Sequence, residues 1–183
     1  MHHLWRALRL IVLALILGCL LLLALAEPAV ASVHTYHEQP GQTTYRSRQS
    51  LRDQTDLAWQ VTMFKRYTGG MFQGTYLRLV GFPGQSVTDS NCDLVIETGT
   101  SAQWQAPRQL DPQTQVLPDG VAQYQMDAVL TDLQRPIPLT LRVPLRGGGT
   151  ARLVAAPYVV EEWLQLYAIP EGNAGHSSRT AGF

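Results

Sequence analysis

Leu139-Thr140-Leu141-Arg142-Val143-Pro144-Leu145 carries the clearest alternation in the chain, with four apolar side chains at every second position. Gly147-Gly148-Gly149 follows, and then Ala151 to Ala155. A period of two places alternate side chains on opposite faces of an extended strand, so this stretch reads as a β-hairpin with one buried face. Pro138 and Pro144 predict that the first strand lies at a sheet edge, because proline cannot donate to a ladder.

The same alternation recurs on either side of that hairpin. Leu57, Trp59, Val61 and Met63 alternate with Ala58, Gln60 and Thr62. Tyr76 to Phe82 follows the glycine-bearing loop Thr68 to Gly74 and stops at Pro83-Gly84. Asp93 to Thr98, Ala102 to Ala106 and Val121 to Met126 are further strands, separated by Gly-, Pro- and Asp-containing turns. Met126 to Leu133 has room for one or two helical turns. The turn-rich stretch 107–120 is expected to cross the top of the fold.

Only at Pro157 does the period change. Val159, Val160, Trp163, Leu166 and Tyr167 recur at three- and four-residue steps, giving an amphipathic helix of about three turns with proline at its start. Pro170 and Gly172 end it. The expected fold class is therefore mainly β: an antiparallel β-sandwich or small barrel of seven to nine strands with one C-terminal amphipathic helix. A closed lipocalin-type barrel alternates in the same way and stands as the alternative.

Residues 1–31 have a different composition. Arg6 and Arg9 precede an apolar run from Leu10 to Ala26, and Ala29-Val30-Ala31 supplies a small-residue cleavage site. This is the pattern of a secretory signal peptide cut after Ala31. No membrane contact is expected except through an uncut anchor, whose 17 apolar residues would be short for a bilayer. Residues 32–169 are then a single β-rich domain, and 170–183 a polar, disordered tail. Cys19 leaves with the signal, so Cys92 is the one mature cysteine and no internal disulfide forms.

The chain of 183 residues has 14 basic and 14 acidic side chains. Without residues 1–31 there remain 12 basic and 13 acidic ones, and eleven of those twelve are arginine. A near-neutral domain lacks the long-range field that nucleic-acid binding uses, so no nucleic-acid partner is expected.

Charge also fixes a register. On a strand 43–52, Arg46, Arg48 and Arg52 face one way, and Tyr45, Ser47, Gln49 and Leu51 face the other. Pairing Arg52 with Leu57 would set the arginines over apolar side chains, a costly burial of unpartnered charge. Pairing Arg52 with Ala58 sets Arg48 beside Thr62 and Leu51 beside Trp59, leaves the guanidinium groups wet, and requires an odd-numbered loop around Asp53–Leu57.

No catalytic set emerges. Gly84-Gln85-Ser86-Val87-Thr88 lacks the closing glycine of a nucleophile elbow. Gly147 to Gly149 lacks the lysine and helix of a phosphate loop. His34, His37 and Glu38 match no strong metal signature, so no metal and no cofactor is expected. Glu161 and Glu162 diverge by about 100° on a helix and fit first-turn acids rather than a catalytic pair. Trp59, Trp104 and Trp163 read as packing residues ahead of ligand-cavity walls. The stripe Arg46, Arg48 and Arg52 reads first as a solvated strand face whose charges discourage edge-to-edge aggregation. The candidate contacts, if a partner docks, are Arg46, Arg48, Arg52, Lys65, Arg66 and Arg78, whose cations suit carboxylates.

Tyr45-Arg46-Ser47-Arg48-Gln49-Ser50-Leu51-Arg52-Asp53-Gln54, Ala58-Trp59-Gln60-Val61 and Phe64-Lys65-Arg66 carry a resemblance. With Leu77 to Gly84 and Val159-Val160-Glu161-Glu162-Trp163, they resemble a small family of exported cyanobacterial proteins known as a domain of unknown function. The likeness covers most of residues 33–167 and is weakest over 85–120. It implies a cyanobacterial origin and a periplasmic or thylakoid-lumen location, and it carries over no active-site residue. The expected function is a non-enzymatic exported β-domain that binds a protein partner, such as a subunit of a photosynthetic or other membrane complex. The alternatives are a carrier of an apolar ligand (lipid, quinone or carotenoid) and an uncharacterised enzyme using His34, His37, Glu38 or Cys92.

Overall fold

Nine strands and two helices make up the described residues of the computed structural model, which are 34–39, 41–89, 91–110 and 117–170. The strands are β1 (His34–Gln39), β2 (Gln42–Arg52), β3 (Ala58–Thr68), β4 (Met71–Val80), β5 (Leu94–Glu97), β6 (Gln103–Ala106), β7 (Val121–Gln125), β8 (Leu139–Leu145) and β9 (Gly149–Ala155). Helix α1 (Asp127–Asp132) separates β7 from β8, and helix α2 (Pro157–Ala168) follows β9. Residues 1–31, read from the sequence as a signal peptide, and residues 171–183, read as part of a tail, lie outside the described residues.

Two antiparallel sheets form, a five-stranded one ordered β1-β2-β3-β4-β7 and a four-stranded one ordered β6-β5-β8-β9. This is a β-sandwich with a C-terminal helix, and the two sheets do not close into a barrel. Their facing sides follow from the alternation. Trp59, Val61, Met63, Leu77, Leu79 and Tyr124 line one inner face, and Leu94, Ile96, Leu139, Leu141, Val143 and Leu153 line the other. Each such leucine or valine contributes roughly 1.5–3 kcal/mol on burial. Helix α2 turns Val159, Val160, Trp163 and Leu166 into the same core, with Pro157 in its first turn.

The charge-based register holds. Arg52 pairs with Ala58, Arg48 with Thr62 and Leu51 with Trp59, around a five-residue loop. Asp53 organises that loop. Its Oδ1 accepts from the Thr55 N–H (2.8 Å), the Thr55 hydroxyl (2.7 Å) and the Leu57 N–H (3.1 Å), and its Oδ2 accepts from the Trp59 indole N–H at 3.0 Å. Asp56 takes the left-handed conformation (φ 64°) that a short polar side chain tolerates.

Partial desolvation of Asp53 favours the acid form, but the four hydrogen bonds outweigh it and lower its pKa below the usual 3.8. The folded state therefore binds this proton less readily than the unfolded chain. The stabilisation is complete above the unfolded value and is lost as pH falls through the folded one. Asp53→Ala should cost about 2 kcal/mol near neutral pH. Chemical denaturation of both proteins from about pH 6 down to about pH 2 should show that gap closing as acid is added. A gap that stays constant across the range would show that the carboxylate charge does not matter here.

One expectation fails. Strand β8 is not an edge strand, because β5 and β9 flank it. Pro144 is accommodated because its nitrogen points past the end of β5, where the segment 87–89 runs alongside. The Asp89 N–H donates to the Pro144 carbonyl at 3.0 Å, and Arg146 N–H donates to Val87 O at 2.9 Å. In an antiparallel ladder the Pro144 nitrogen would return a bond to the Asp89 carbonyl. Arg108 Nη1 supplies that donor instead, at 2.9 Å.

The edges of this sheet are β6 and β9, and a side chain guards β9. Gln54 donates from Nε2 to Thr150 O (2.9 Å) and accepts at Oε1 from the Arg152 N–H (2.6 Å). A primary amide thereby mimics a neighbouring strand's peptide group, covering part of an edge that would otherwise template aggregation.

Candidate docking face

The outer face of the five-stranded sheet is built from the side chains that the inner alternation rejects. Cross-strand partners make rows across it: Arg46, Phe64, Tyr76 and Gln125 in one, Arg48, Thr62, Arg78 and Gln123 in the next. Arg66 continues the face beside Thr44 and Gly74. Four of the six candidate cations, Arg46, Arg48, Arg66 and Arg78, are thus brought onto one surface from three strands.

Phe64 lies at the centre of that surface, yet only 4% of it is exposed. The guanidinium carbons of Arg66 and Arg78 stand 5.4 and 5.3 Å from its ring centroid, and the Tyr76 ring lies 5.4 Å away. The aromatic ring holds the two cations by cation–π attraction while they shield it from water. Arg78 is fixed further, donating from Nε (3.0 Å) and Nη2 (2.7 Å) to the Oε1 of buried Gln123. A guanidinium already held in place loses less side-chain entropy when it meets a partner.

The other two candidates stand apart. Arg52 sits at the hairpin end, 3.2 Å from Asp56 in an exposed ion pair. Lys65 must be taken off the exposed strip, because it faces the core with Met63 and Tyr67 and is 7% exposed. Its Nζ donates to Tyr167 O (2.6 Å) and Ile169 O (2.7 Å), the carbonyls at the end of α2. The rings of Tyr67, Phe72 and Tyr167 surround it at 5.5, 5.2 and 5.3 Å. Helix α2 has no basic residue in its own last turn, and Lys65 supplies that charge from β3. Parity already contained this signal: Lys65 lies an even number of positions from Trp59, Val61 and Met63.

The remaining chemistry-bearing residues do not converge. Glu161 and Glu162 lie in the second turn of α2, not the first. Glu161 is exposed, whereas Glu162 is 3% exposed and accepts from Gln49 Nε2 at 2.7 Å, pinning the helix to β2. Trp59 and Trp163 are fully buried in the core, and Trp104 donates to Asp132 at 3.2 Å. His34, His37 and Glu38 fall on β1, and the placement of their side chains lies outside the described residues. Among the described residues no three His, Cys, Asp or Glu side chains come together as a metal site.

Cys92 is exposed on the rim of a shallow depression of about 370 Å³, with Asp93, Val95, Gln103, Arg142, Pro144 and Thr150. Local desolvation raises the pKa of its thiol, and the negative charges of Asp89 and Asp93 act in the same direction. Those surroundings disfavour the thiolate, the form a nucleophile needs. Tyr124, fully buried between the sheets, is pushed up to about 12 by burial in spite of nearby Arg108, and stays a neutral phenol.

The sequence model of one family, described as a protein of unknown function (DUF3122), matches residues 31–166. No curated protein and no solved structure matches the chain. That match takes in every strand of both sheets and all of α2 but its last two residues, so the chain belongs to the DUF3122 family.

Proposed function

We propose that this chain is a non-enzymatic β-domain that docks a carboxylate-bearing protein partner on the outer face of its five-stranded sheet. In this reading residues 1–31 export it from a cyanobacterial cytoplasm to the periplasm or thylakoid lumen. There it serves as an accessory or assembly factor for a membrane complex, such as a photosynthetic one. The observation that carries the reading is a charge asymmetry in four of the sheet's five strands, β1 carrying Glu38. Strands β2, β3, β4 and β7 together contain Arg46, Arg48, Arg52, Lys65, Arg66 and Arg78, and no aspartate or glutamate. Four of these cations share the outer face, two of them stacked on Phe64.

Complementary charge raises encounter rates and rejects wrong partners more than it adds raw affinity. Arg46→Glu with Arg48→Glu should therefore lower the yield of the neighbour crosslinked in native membranes by about tenfold. Both side chains face outward from β2, so thermal unfolding should move by no more than about 2 °C. Raising salt should weaken capture by the native chain as well, since exposed charges are screened. Undiminished capture by the doubly reversed chain would remove this face from consideration.

A further inference from the structure

The β3–β4 hairpin turns at Gly69 (φ 59°) and Gly70 (φ 81°), a conformation that suits glycine. Directly after it come Met71, 68% exposed, and Phe72, 38% exposed. This turn does not wave free. The Gly69 N–H donates to Gly41 O at 2.8 Å, which fastens it to the turn between β1 and β2. The Phe72 ring meets Tyr67 at 5.8 Å and lies 5.2 Å from the Lys65 ammonium. Lys65 and Tyr67 both donate to Ile169 O, at 2.7 and 3.0 Å, so half-buried Ile169 and exposed Pro170 lie alongside. One end of the five-stranded sheet is therefore a braced apolar tip of Met71 and Phe72, with the Ile169 carbonyl held behind it by Lys65 and Tyr67.

Cations follow behind this tip at set distances. At about 3.3 Å per residue, Arg66 stands about 7 Å back from the Thr68–Met71 rung. The rung holding Arg46 is about 13 Å back, and the one holding Arg48 and Arg78 about 20 Å. From Leu57 to Thr88 the sequence contains no aspartate or glutamate.

We infer that this tip enters the interface of an anionic lipid bilayer. Met71 and Phe72 reach the boundary between headgroups and acyl chains, and Arg66 meets the lipid phosphates. Apolar faces that lie in a bilayer interface sink about 5–10 Å, which matches the distance from the tip to Arg66. Basic residues near an anionic surface add small, salt-sensitive increments, and β3 and β4 contribute three cations and no acid of their own, with Asp127 held against the Thr75 N–H beside them. A braced tip loses little conformational freedom on insertion. The contact goes beyond the docking face: it tilts the sheet so that its outer arginines stand above the membrane surface, where a membrane complex presents its exposed loops.

The test uses the full chain with Cys19→Ser and Cys92→Ser, carrying a polarity-sensitive fluorophore on Met71→Cys or, as the control, on Gln85→Cys. Gln85 is exposed at the opposite end of β4. The probe surface is a vesicle of equal parts phosphatidylglycerol and phosphatidylcholine. The label at position 71 should shift to the blue and be quenched by spin-labelled acyl chains, while the label at 85 remains in water. Adding Phe72→Asp should lower the blue shift of the vesicle-bound label at 71 by about half, and replacing phosphatidylglycerol with phosphatidylcholine should lower it as well. Residues 10–26 can hold the chain on the vesicle by themselves, so a vesicle-bound chain whose label at 71 still reports water overturns the inference. A shift at 71 that appears with a crosslinked protein neighbour and not with lipid overturns it equally, in favour of a protein contact.

Discussion

Lys65→Met should destabilise the folded chain by about 3 kcal/mol and lower its Tm by roughly 10 °C. Methionine keeps the apolar stem that packs beside Tyr67 and Phe72, so the loss isolates the charge. Removing it strips the Tyr167 carbonyl of its Lys65 donor and leaves the Ile169 carbonyl only the Tyr67 hydroxyl, in a setting with little water. Hydrogen bonds from a charged donor are worth about 1.5–3 kcal/mol, and a cation at a helix C-terminus adds up to about 2. Part of that total is returned because the ammonium no longer has to be desolvated. Lys65→Arg should not restore stability, since a planar fork does not fit a cage shaped around a compact ammonium. Calorimetry of the three proteins decides it. A methionine variant within about 0.5 kcal/mol of the native chain would mean that the aromatic packing, and not the charge, holds the helix end.

Gly81→Ala is expected to cost about as much by the opposite mechanism, overfilling instead of emptying. A Cβ at this position would stand 2.5 Å from Ser86 Cβ, 3.0 Å from the Ser86 carbonyl oxygen and 3.0 Å from Trp59 Cη2. None of these atoms is the free end of a flexible side chain. Trp59 is held by its indole bond to Asp53, and Gly81 itself donates to Gly120 O at 2.9 Å. Overpacking typically costs 1–3 kcal/mol, and the upper end, about 3, is expected where backbone must move. Gly84→Ala is the comparison: its φ of +75° is unfavourable, but nothing lies within 4 Å, so about 1 kcal/mol is expected. Ser86→Gly in the Gly81→Ala background should recover part of the loss by deleting the nearest atom. A double variant no better than the single one would place the strain in the Ser86 carbonyl or in Trp59.

The two residues have a common lesson about the docking face. Lys65 and Arg66 are neighbours in sequence and both cationic, yet one is consumed in holding α2 and the other lies over Phe64 on the outer surface. Alternation alone sends them to opposite faces. A strip of cations read off the sequence is therefore an overcount until each is assigned its side, and here parity with Trp59, Val61 and Met63 was enough to assign Lys65. Arg78 was harder to place. Its row, with Thr62 and Arg48, depends on how β4 pairs with β3, and a bulge between Arg66 and Tyr67 interrupts that pairing.

By itself the sequence determined what depends on neighbouring positions along the chain: which segments extend, which side chains share a face, where α2 begins, and that Arg52 opposes Ala58. These are consequences of the two-residue repeat of a strand, the 3.6-residue repeat of a helix and the cost of burying an unpartnered charge. Only the tertiary structure decided which strand borders which. It put Pro144 inside a sheet because the segment 87–89 and Arg108 take over its ladder bonds, and it put Gln54 on the open edge of β9. It also set Lys65 against the end of a helix a hundred residues further along the chain. Contacts of that span leave no period in the sequence, because their partners are chosen by how whole sheets stack and not by the backbone geometry of either segment.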